Sequence, residues 1–337
     1  MAWKLCLVLM VMSSACSATG NRIGLSSFEA RNYPALGVVA SATDKSTGAT
    51  IKGLKRGEFS VCIDGIDQAG ASVESVLSGG KKIALALLVD TSGSMKGVPL
   101  DSAKQAIDGM LARLSTEDEA SVIGFSGRVR GVSEFLTDRA KLRSETRSLR
   151  AGGQTAFCDA VVRACDSVSA QTCDRRVVVA LTDGRDNASK LSYAQCVQRV
   201  EAAGVPVYVI GLGRDVAEDK LSELASASGG QYLAAASPSD LQSIYQSVAE
   251  NLQNQYMVKL TAPDSLKPGT WHDLSVSARG AMSKVVFMVP LPGGSLAAAA
   301  EDSIWSSLPV ALVIFGVLDV AALGAYAASR RKARSRG

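Results

Sequence analysis

The chain has 337 residues, of which 47% are hydrophobic and only 5% are aromatic, so it can bury a core without metal or disulfide staples and has room for two domains. Its formal net charge is +4, but five of the last eight residues are Lys or Arg and the remainder is close to neutral. Nothing in that balance argues for a nucleic-acid-binding surface. The sequence has no G-x-x-x-x-G-K-[ST] loop, which excludes a P-loop ATPase.

The first 18 residues are typical of a secretory signal peptide. Lys4 precedes an apolar stretch over residues 5–12, and small residues follow it. We therefore expect residues 1–18 to direct export, with cleavage after Ala15 or Ala18. Residues 13–16 also resemble a bacterial lipoprotein box, in which Cys16 would be lipidated, although Ser13 stands where that box normally has a larger aliphatic residue. Both fates of this segment stay open.

The other end of the chain predicts a membrane anchor. Residues 308–328 are apolar over about the 20 residues that a helix needs to span a bilayer, with Asp319 as the only charge. The basic tail over residues 329–337 predicts a cytoplasmic C-terminus, which places the rest of the exported chain outside the cytoplasm, in the periplasm or at the cell surface. Because a carboxylate inside a bilayer is costly, Asp319 is a candidate contact to another membrane helix. We expect residues 291–307 to form a linker.

Two segments that lie far apart in the sequence predict β-strands. Residues 26–79 and 255–290 both contain apolar residues at every second position, for example Val38, Ala40 and Ala42 in the first segment. Neither segment is long enough to close a β-sandwich alone. We infer one small β-sandwich-like domain built from both pieces. The alternative is a pair of independent extensions, because a sequence does not show which strands pair.

Residues 80–254, between these pieces, alternate strands with helices. An unbroken apolar run from residue 82 ends at Asp90, as expected for a strand that is covered on both faces. The further predicted strands are 120–125, 131–135, 176–181, 205–211 and 231–234, and the predicted helices are 99–113, 156–169, 192–203, 217–227 and 238–254. This alternation predicts the α/β class, with a doubly wound, Rossmann-like, mostly parallel sheet.

Cysteines are concentrated in this central region, and an exported protein can form disulfides. Cys158 and Cys165 are two helical turns apart, which is too far for a bond between them. Cys165 and Cys173 could close the end of a helix and are the disulfide that we would test first. No cysteine has a C-x-x-C or Cys/His spacing, which argues against zinc.

Oxygen-bearing side chains follow the ends of predicted strands or open a helix. The segments are Asp90-Thr-Ser92-Gly-Ser94, Gly-Gly-Gln-Thr155 and Thr-Asp183-Gly. In a doubly wound sheet these loops meet at one edge. Two carboxylates in close proximity repel unless a cation lies between them, and hydroxyls add neutral oxygen ligands. Such a set suits Mg²⁺ better than Ca²⁺, which usually takes more carboxylates.

The order and spacing of these five residues resemble the von Willebrand factor type A domain and its metal-ion-dependent adhesion site, over roughly residues 82–254. The resemblance extends to bacterial membrane-anchored proteins in which β half-domains flank the type A fold. It implies that Ser92, Ser94 and Thr155 ligate Mg²⁺ (or Mn²⁺ or Ca²⁺) through their hydroxyls, and that Asp90 and Asp183 act directly or through water. It also implies a protein partner that offers an acidic side chain to the metal.

We therefore expect a membrane-embedded binding or adhesion protein, and neither an enzyme nor a receptor for a small-molecule substrate. A hydrolytic triad needs a histidine, and the only one, His272, lies in the predicted β-domain. The alternative function is a structural or assembly subunit of an envelope complex, in which the metal serves only folding. Metal-assisted hydrolysis is a third hypothesis, for which no base is evident.

Overall fold

The structure is a computed structural model that describes residues 8–9, 20–30, 33–44, 50–76, 82–132 and 134–289. The predicted linker, transmembrane helix and basic tail, together with Cys16 and Asp319, lie outside the described residues, as does most of the predicted signal peptide. In the ranges that are described, no helix is both long enough and apolar enough to cross a bilayer.

Fifteen strands and six α-helices make up the described part of the chain, joined by turns and short 3-10 segments. The strands are β1 (Val8–Leu9), β2 (Asn21–Glu29), β3 (Ala35–Asp44), β4 (Phe59–Ile63), β5 (Ile66–Asp67), β6 (Ser72–Ser75), β7 (Ile83–Asp90), β8 (Glu119–Phe125), β9 (Val129–Val132), β10 (Arg175–Thr182), β11 (Val207–Leu212), β12 (Gln231–Ala235), β13 (Tyr256–Thr261), β14 (Trp271–Ala278) and β15 (Ala281–Met288). The helices are α1 (Val98–Leu111), α2 (Arg139–Ser148), α3 (Phe157–Ser169), α4 (Tyr193–Ala203), α5 (Glu218–Ala227) and α6 (Leu241–Gln253).

A six-stranded sheet lies at the centre of the α/β region, in the order β12-β11-β10-β7-β8-β9. Its first five strands are parallel, and only the edge strand β9 runs antiparallel to its neighbour. The predicted α/β class with a mostly parallel sheet is confirmed. Because the strands are parallel and in register, their carboxyl ends share one edge, where Asp90 lies opposite Phe125.

β7 is buried at all eight positions because helices cover both faces of the sheet. Leu85 and Leu87 belong to a hydrophobic cluster with residues of α1, α2 and α6. Ala86 and Leu88 belong to a second cluster with residues of α3, α4 and α5. Alternate side chains of a strand point to opposite faces, so a strand between two helical layers must be apolar throughout. The only polar side chain in β7 is its last, Asp90.

The structure differs from the predicted elements in two places of this region. The strand expected at residues 131–135 lies earlier, at β9, and helix α2 was not predicted. Only Leu142 and Thr146 of α2 are buried, so the helix shows almost no apolar periodicity. Asp138 is a sequence signal for the start of this helix, because aspartate is a preferred N-cap residue. In the structure its carboxylate accepts hydrogen bonds from the backbone N–H groups of Ala140 and Lys141.

Two antiparallel sheets form the β region, in the orders β1-β15-β14-β4-β5 and β2-β3-β13-β6. β13 pairs with β3 and β6, and β14 pairs with β4, so strands from before and after the α/β region share both sheets. Their inner faces enclose a third hydrophobic cluster, in which Val38, Val61, Val258 and Val276 are fully buried. The α/β region is thus inserted between the two sequence pieces of one β structure.

The two chain connections between the regions meet at the sheet edge opposite Asp90. The N–H of Val76 donates to the carbonyl oxygen of Gln255 at 2.9 Å. The guanidinium of Arg175, at the start of β10, donates to the side-chain oxygen of Gln255, whose amide donates to the hydroxyl of Tyr208 at 3.3 Å. Burial lowers the pKa of Arg175 to about 10. A buried polar network therefore fastens the α/β region to the β region.

Cys165 and Cys173 are both free thiols, so the predicted disulfide between them is not formed. Cys165 points into the core beneath the sheet and is 1% exposed, whereas the thiol of Cys173 donates to the carbonyl oxygen of Arg175 at 3.1 Å. Cys158 and Cys196 belong to the same hydrophobic cluster as Cys165. The spacing along the helix gave no information on which way the side chain of Cys165 points.

Two glycines provide a matched test of the packing. A Cβ added at Gly230 would lie 2.1 Å from the backbone oxygen of Val207, so Gly230→Ala must displace backbone. We expect it to lower the free energy of unfolding by about 1–3 kcal/mol or more. Gly109 lies inside α1 with open space around it, so Gly109→Ala should raise the free energy of unfolding by about 0.5–1 kcal/mol. Urea denaturation measures both changes, and equal effects would contradict the described junction of α5 and β12.

Candidate metal site

Asp90 is the deepest of the predicted site residues and is fully buried at the end of β7. One carboxylate oxygen accepts a hydrogen bond from the N–H of Ser92 at 2.8 Å, and the other accepts from the hydroxyl of Thr182 at 2.7 Å. Thr182 is the last residue of the neighbouring strand β10. Burial of a carboxylate is costly unless donors surround it, and these two donors fix the orientation of Asp90.

Asp183 follows Thr182 and faces the two serines of the first loop. Its oxygen Oδ1 accepts from the hydroxyl of Ser94 at 2.9 Å and from that of Ser92 at 3.4 Å. The two serine oxygens lie 3.0 Å apart. Ser92 is buried and Ser94 is exposed, so the group reaches from the core to the surface. Asp90, Ser92, Ser94 and Asp183, four of the five predicted ligands, are therefore joined by hydrogen bonds.

Thr155 is held beside this group by the loop that follows Asp183. The side-chain oxygen of Asn187 accepts from the N–H of Thr155 at 2.9 Å, and the N–H of Asn187 donates to the carbonyl oxygen of Thr155 at 2.9 Å. A Cβ added at Gly184 would lie 3.6 Å from the hydroxyl oxygen of Thr155, which places that hydroxyl against the loop after Asp183. The sequence interpretation missed Asn187, because its partner lies 32 residues away in the chain.

Backbone hydrogen bonds join the loop after β7 to the loop that carries Thr155. The N–H of Gly93 donates to the carbonyl oxygen of Gly153 at 2.9 Å, and the N–H of Gly152 donates to that of Thr91 at 2.8 Å. Gly153 has a φ of 101°, which a residue with a Cβ would adopt only with strain. These contacts bring all five predicted residues to the same edge of the sheet.

The two carboxylates make the site electrostatically strained without a cation. Burial and, to a smaller extent, the charge of Asp183 raise the pKa of Asp90 to about 6, against the opposing effect of the hydrogen bonds from Thr182 and Ser92. Burial also raises the pKa of Asp183, and the charge of Asp215 adds to this effect, while the serine hydroxyls oppose it. A cation at this edge would relieve both carboxylates.

The donor atoms fit a hard cation. Among the residues that the structure describes, no three His, Cys, Asp or Glu side chains are grouped closely enough to hold a metal by themselves. The candidate site instead combines two carboxylates with three hydroxyls, and oxygen ligands of low total charge suit Mg²⁺. The residues present therefore fit the predicted Mg²⁺ site, and they offer no nitrogen or sulfur ligand.

The only histidine of the sequence lies far from this edge, at the start of β14. Its Nδ1 is 2.6 Å from a carboxylate oxygen of Asp64, and its Nε2 is 2.7 Å from the hydroxyl oxygen of Thr270. A hydroxyl, an imidazole and a carboxylate in this order also occur in hydrolytic triads. Here the hydroxyl of Thr270 donates to the carbonyl oxygen of Lys267 at 2.6 Å. The network ties the turn at Asp64 to β14, and we assign it a structural role.

Asp90 gives the metal-free protein a distinctive pH dependence. Because its folded pKa of about 6 lies above the ordinary value of 3.8 for an aspartate, its contribution to stability is fully present below the lower value and is lost as the pH rises through 6. Asn mimics the protonated acid. In chelator, the stability advantage of Asp90→Asn over the natural protein should therefore grow by about 2 kcal/mol between pH 4.5 and pH 7.5. Denaturation at both pH values measures this difference, and a pH-independent difference would contradict the described burial.

Comparison with known proteins places the α/β region in a family. Residues 84–247 match the model of the von Willebrand factor type A domain. The uncharacterised protein sll0103 of Synechocystis is 27% identical over 222 residues, which are 60% of this chain and 52% of that protein. Inter-alpha-trypsin inhibitor heavy chain H3 of Homo sapiens is 27% identical over 187 residues, which are 50% of this chain and 21% of that protein. The chain thus spans about half of the first relative and about a fifth of the second.

Among solved structures, the fold is similar to a von Willebrand factor type A protein from Catenulispora acidiphila, with a TM-score of 0.49 and 13% identity over 87% of this chain and 78% of that chain. The family match covers the parallel sheet and most of the helices on its two faces. Residues 84–247 of this chain therefore form a von Willebrand factor type A domain.

Proposed function

We propose that the type A domain binds a partner protein through a divalent cation, Mg²⁺ in the first instance, at the carboxyl edge of the sheet. The observation that carries this proposal is the convergence of Asp90, Ser92, Ser94, Thr155 and Asp183 from three separate loops. When bound, the cation supplies a concentrated positive charge and a coordination position for an acidic side chain of the partner. Mn²⁺ and Ca²⁺ are the alternatives that the same oxygen atoms could accept.

The exposure of the site residues supports binding from one side. Asp90, Ser92 and Thr155 are buried, whereas Ser94 is exposed and Asp183 is partly exposed. Buried residues would hold the cation from the protein side, and the exposed side is left to a partner. We infer binding without turnover of a substrate, since the one histidine of the sequence lies in the β region and the hydroxyls at the site already donate to carboxylates.

The sequence supports the further proposal that this domain acts outside the cytoplasm. The signal-like residues 1–18 and the apolar residues 308–328 with their basic tail favour an exported protein with one membrane anchor. In that arrangement the second β piece, from β13 to β15, lies between the type A domain and the bilayer along the chain. The alternative assembly subunit would use the β region and the membrane segment for docking, with a metal that serves folding only.

Metal binding is tested by melting and by partner capture. At a concentration of about ten times its Kd, Mg²⁺ should raise the free energy of unfolding of the natural protein by about 1.4 kcal/mol, because it binds the folded state only. Asp183→Asn should lose this increase. Asp166→Asn, at an exposed aspartate near the end of α3, is the matched control and should keep it.

Capture by crosslinking from native membranes, with and without chelator, tests the partner. We expect chelator and Asp183→Asn to abolish capture of the same protein and Asp166→Asn to leave it unchanged. If neither chelator nor Asp183→Asn alters melting or capture, the proposed function is wrong. A partner that remains bound to Asp183→Asn but is lost when residues 308–328 are replaced would favour the assembly subunit.

Asn187 tests whether Thr155 contributes to the cation site. Asn187→Ala removes the acceptor for the N–H of Thr155, so Mg²⁺ affinity should fall about 10- to 100-fold, as for other residues that orient metal ligands. Ser189→Ala changes the same loop and removes the acceptor for the N–H of Asp159 and a side-chain hydrogen bond to Asp186. It keeps the bonds between Asn187 and Thr155, so it should leave Mg²⁺ affinity close to the natural value. Titration calorimetry measures both affinities. Equal affinities for the two variants would show that Thr155 needs no such support.

A further inference from the structure

Four cations lie on the loops around the candidate metal site, one after each of four parallel strands. Lys96 follows β7, Arg128 follows β8, Arg185 follows β10 and Arg214 follows β11. All four residues are exposed. We refer to these four residues as the cationic rim. The net charge of the chain does not reveal the rim, because acidic residues elsewhere in the chain balance these four positive charges.

The sheet order fixes how the rim surrounds the site. The strands follow each other as β11-β10-β7-β8, so their carboxyl ends span about 14 Å at a spacing of about 4.8 Å per strand. The candidate metal ligands Asp90 and Asp183 follow the two middle strands. Arg214 and Arg128 therefore lie on loops to either side of the site, and Lys96 and Arg185 lie on the same loops as the ligands.

The rim cations are not committed to other described residues. No hydrogen bond or ion pair within the described ranges holds any of their four side chains. Elsewhere on the surface, Lys52, Lys82 and Arg279 each pair with a glutamate. Unpaired surface cations are often merely solvated, but these four follow four neighbouring strands around one site.

The acidic residues at this edge offset the rim only in part. The carboxylate of Asp186 accepts hydrogen bonds from the N–H groups of Cys158 and Ser189, and Asp90 and Asp183 belong to the site itself. Asp215 is exposed beside Arg214, and its charge acts on Asp183. With a divalent cation added, the four rim cations and the metal outweigh the four aspartates named here by a formal charge of +2.

We infer that this edge recognises an acidic, extended protein segment that carries several carboxylates. The inference rests on the proposed function and deepens it: one carboxylate meets the bound cation, and the flanking carboxylates pair with the cationic rim. An extended chain advances about 3.3 Å per residue, so about five residues cross the 14 Å between the outer strands. Val98, which is 68% exposed beside Lys96, offers an apolar contact at the margin of the same surface.

The same electrostatics couple the segment to the metal. Rim cations repel a divalent cation when no acidic segment is bound, and an acidic segment removes that repulsion. Binding of the segment should therefore tighten Mg²⁺ binding, and Mg²⁺ should tighten binding of the segment by the same factor. Because the rim is exposed, the effect should weaken as salt rises, since the screening length is about 10 Å at 0.1 M salt.

The test uses the purified full chain and two synthetic nine-residue peptides. One peptide has a central Asp flanked by four Glu, and in the other the four Glu are Gln. In Mg²⁺ at low salt we expect the Glu peptide to bind about tenfold more tightly than the Gln peptide. This is the affinity difference that four weak, exposed ion pairs would produce. The variant K96Q/R128Q/R185Q/R214Q should lose this preference. Its matched control, R113Q/R163Q/R199Q/K267Q, removes four exposed cations from other surfaces and should keep it.

The outcomes separate this inference from the proposed function. If the rim variant keeps the tenfold preference, the inference is wrong, and loss of binding in chelator would still support the proposed function. If chelator leaves peptide binding unchanged while the rim variant loses it, recognition of the acidic segment by the rim stands, and the role of the cation in that recognition and in the proposed function is wrong. A melting increase with Mg²⁺ in the rim variant shows that the variant is folded and that its metal site is intact.

Discussion

Desolvation of the Asp90 carboxylate is the constraint on which the loops of this domain depend. β7 is covered on both faces, so its last side chain is removed from water together with the apolar residues before it. A buried carboxylate needs donors, and the donors come from Ser92 in the next loop and from Thr182 at the end of the adjacent strand. Their positions in turn direct Ser94 and Asp183 toward each other. Polar geometry at the surface therefore originates in the packing of the core.

Charge explains why the same residues suit both a cation and an acidic partner. Two carboxylates whose pKa values are raised by burial gain from a nearby positive charge, and hydroxyls complete a set of oxygen ligands without adding negative charge. Two carboxylates only balance a divalent cation, so the unpaired cations of the surrounding loops keep the edge positive. An anionic partner is the natural complement of such a surface.

Much of this arrangement could be predicted from the sequence, because it depends on local patterns. The apolar run of β7 and the alternation of strands and helices predicted the parallel sheet, and parallel strands bring the three oxygen-bearing loops to one edge. Asn187 could not be predicted in this way, since its partner Thr155 lies on another loop. Helix α2 was missed because its surface is polar, and the Cys165–Cys173 bond was wrong because helix spacing does not show which side chain enters the core.

The junction of the two regions has a mechanical consequence. The chain leaves β6 and returns in β13 side by side, with Val76 bonded to Gln255, at the edge opposite the metal site. A pulling force applied at the metal edge would pass through two parallel connections at once, and each would carry part of the load. Because both connections pull on the same ends of β6 and β13, this force would not slide those strands past each other. The four residue pairs between β6 and β13 would therefore be loaded together and not in shear.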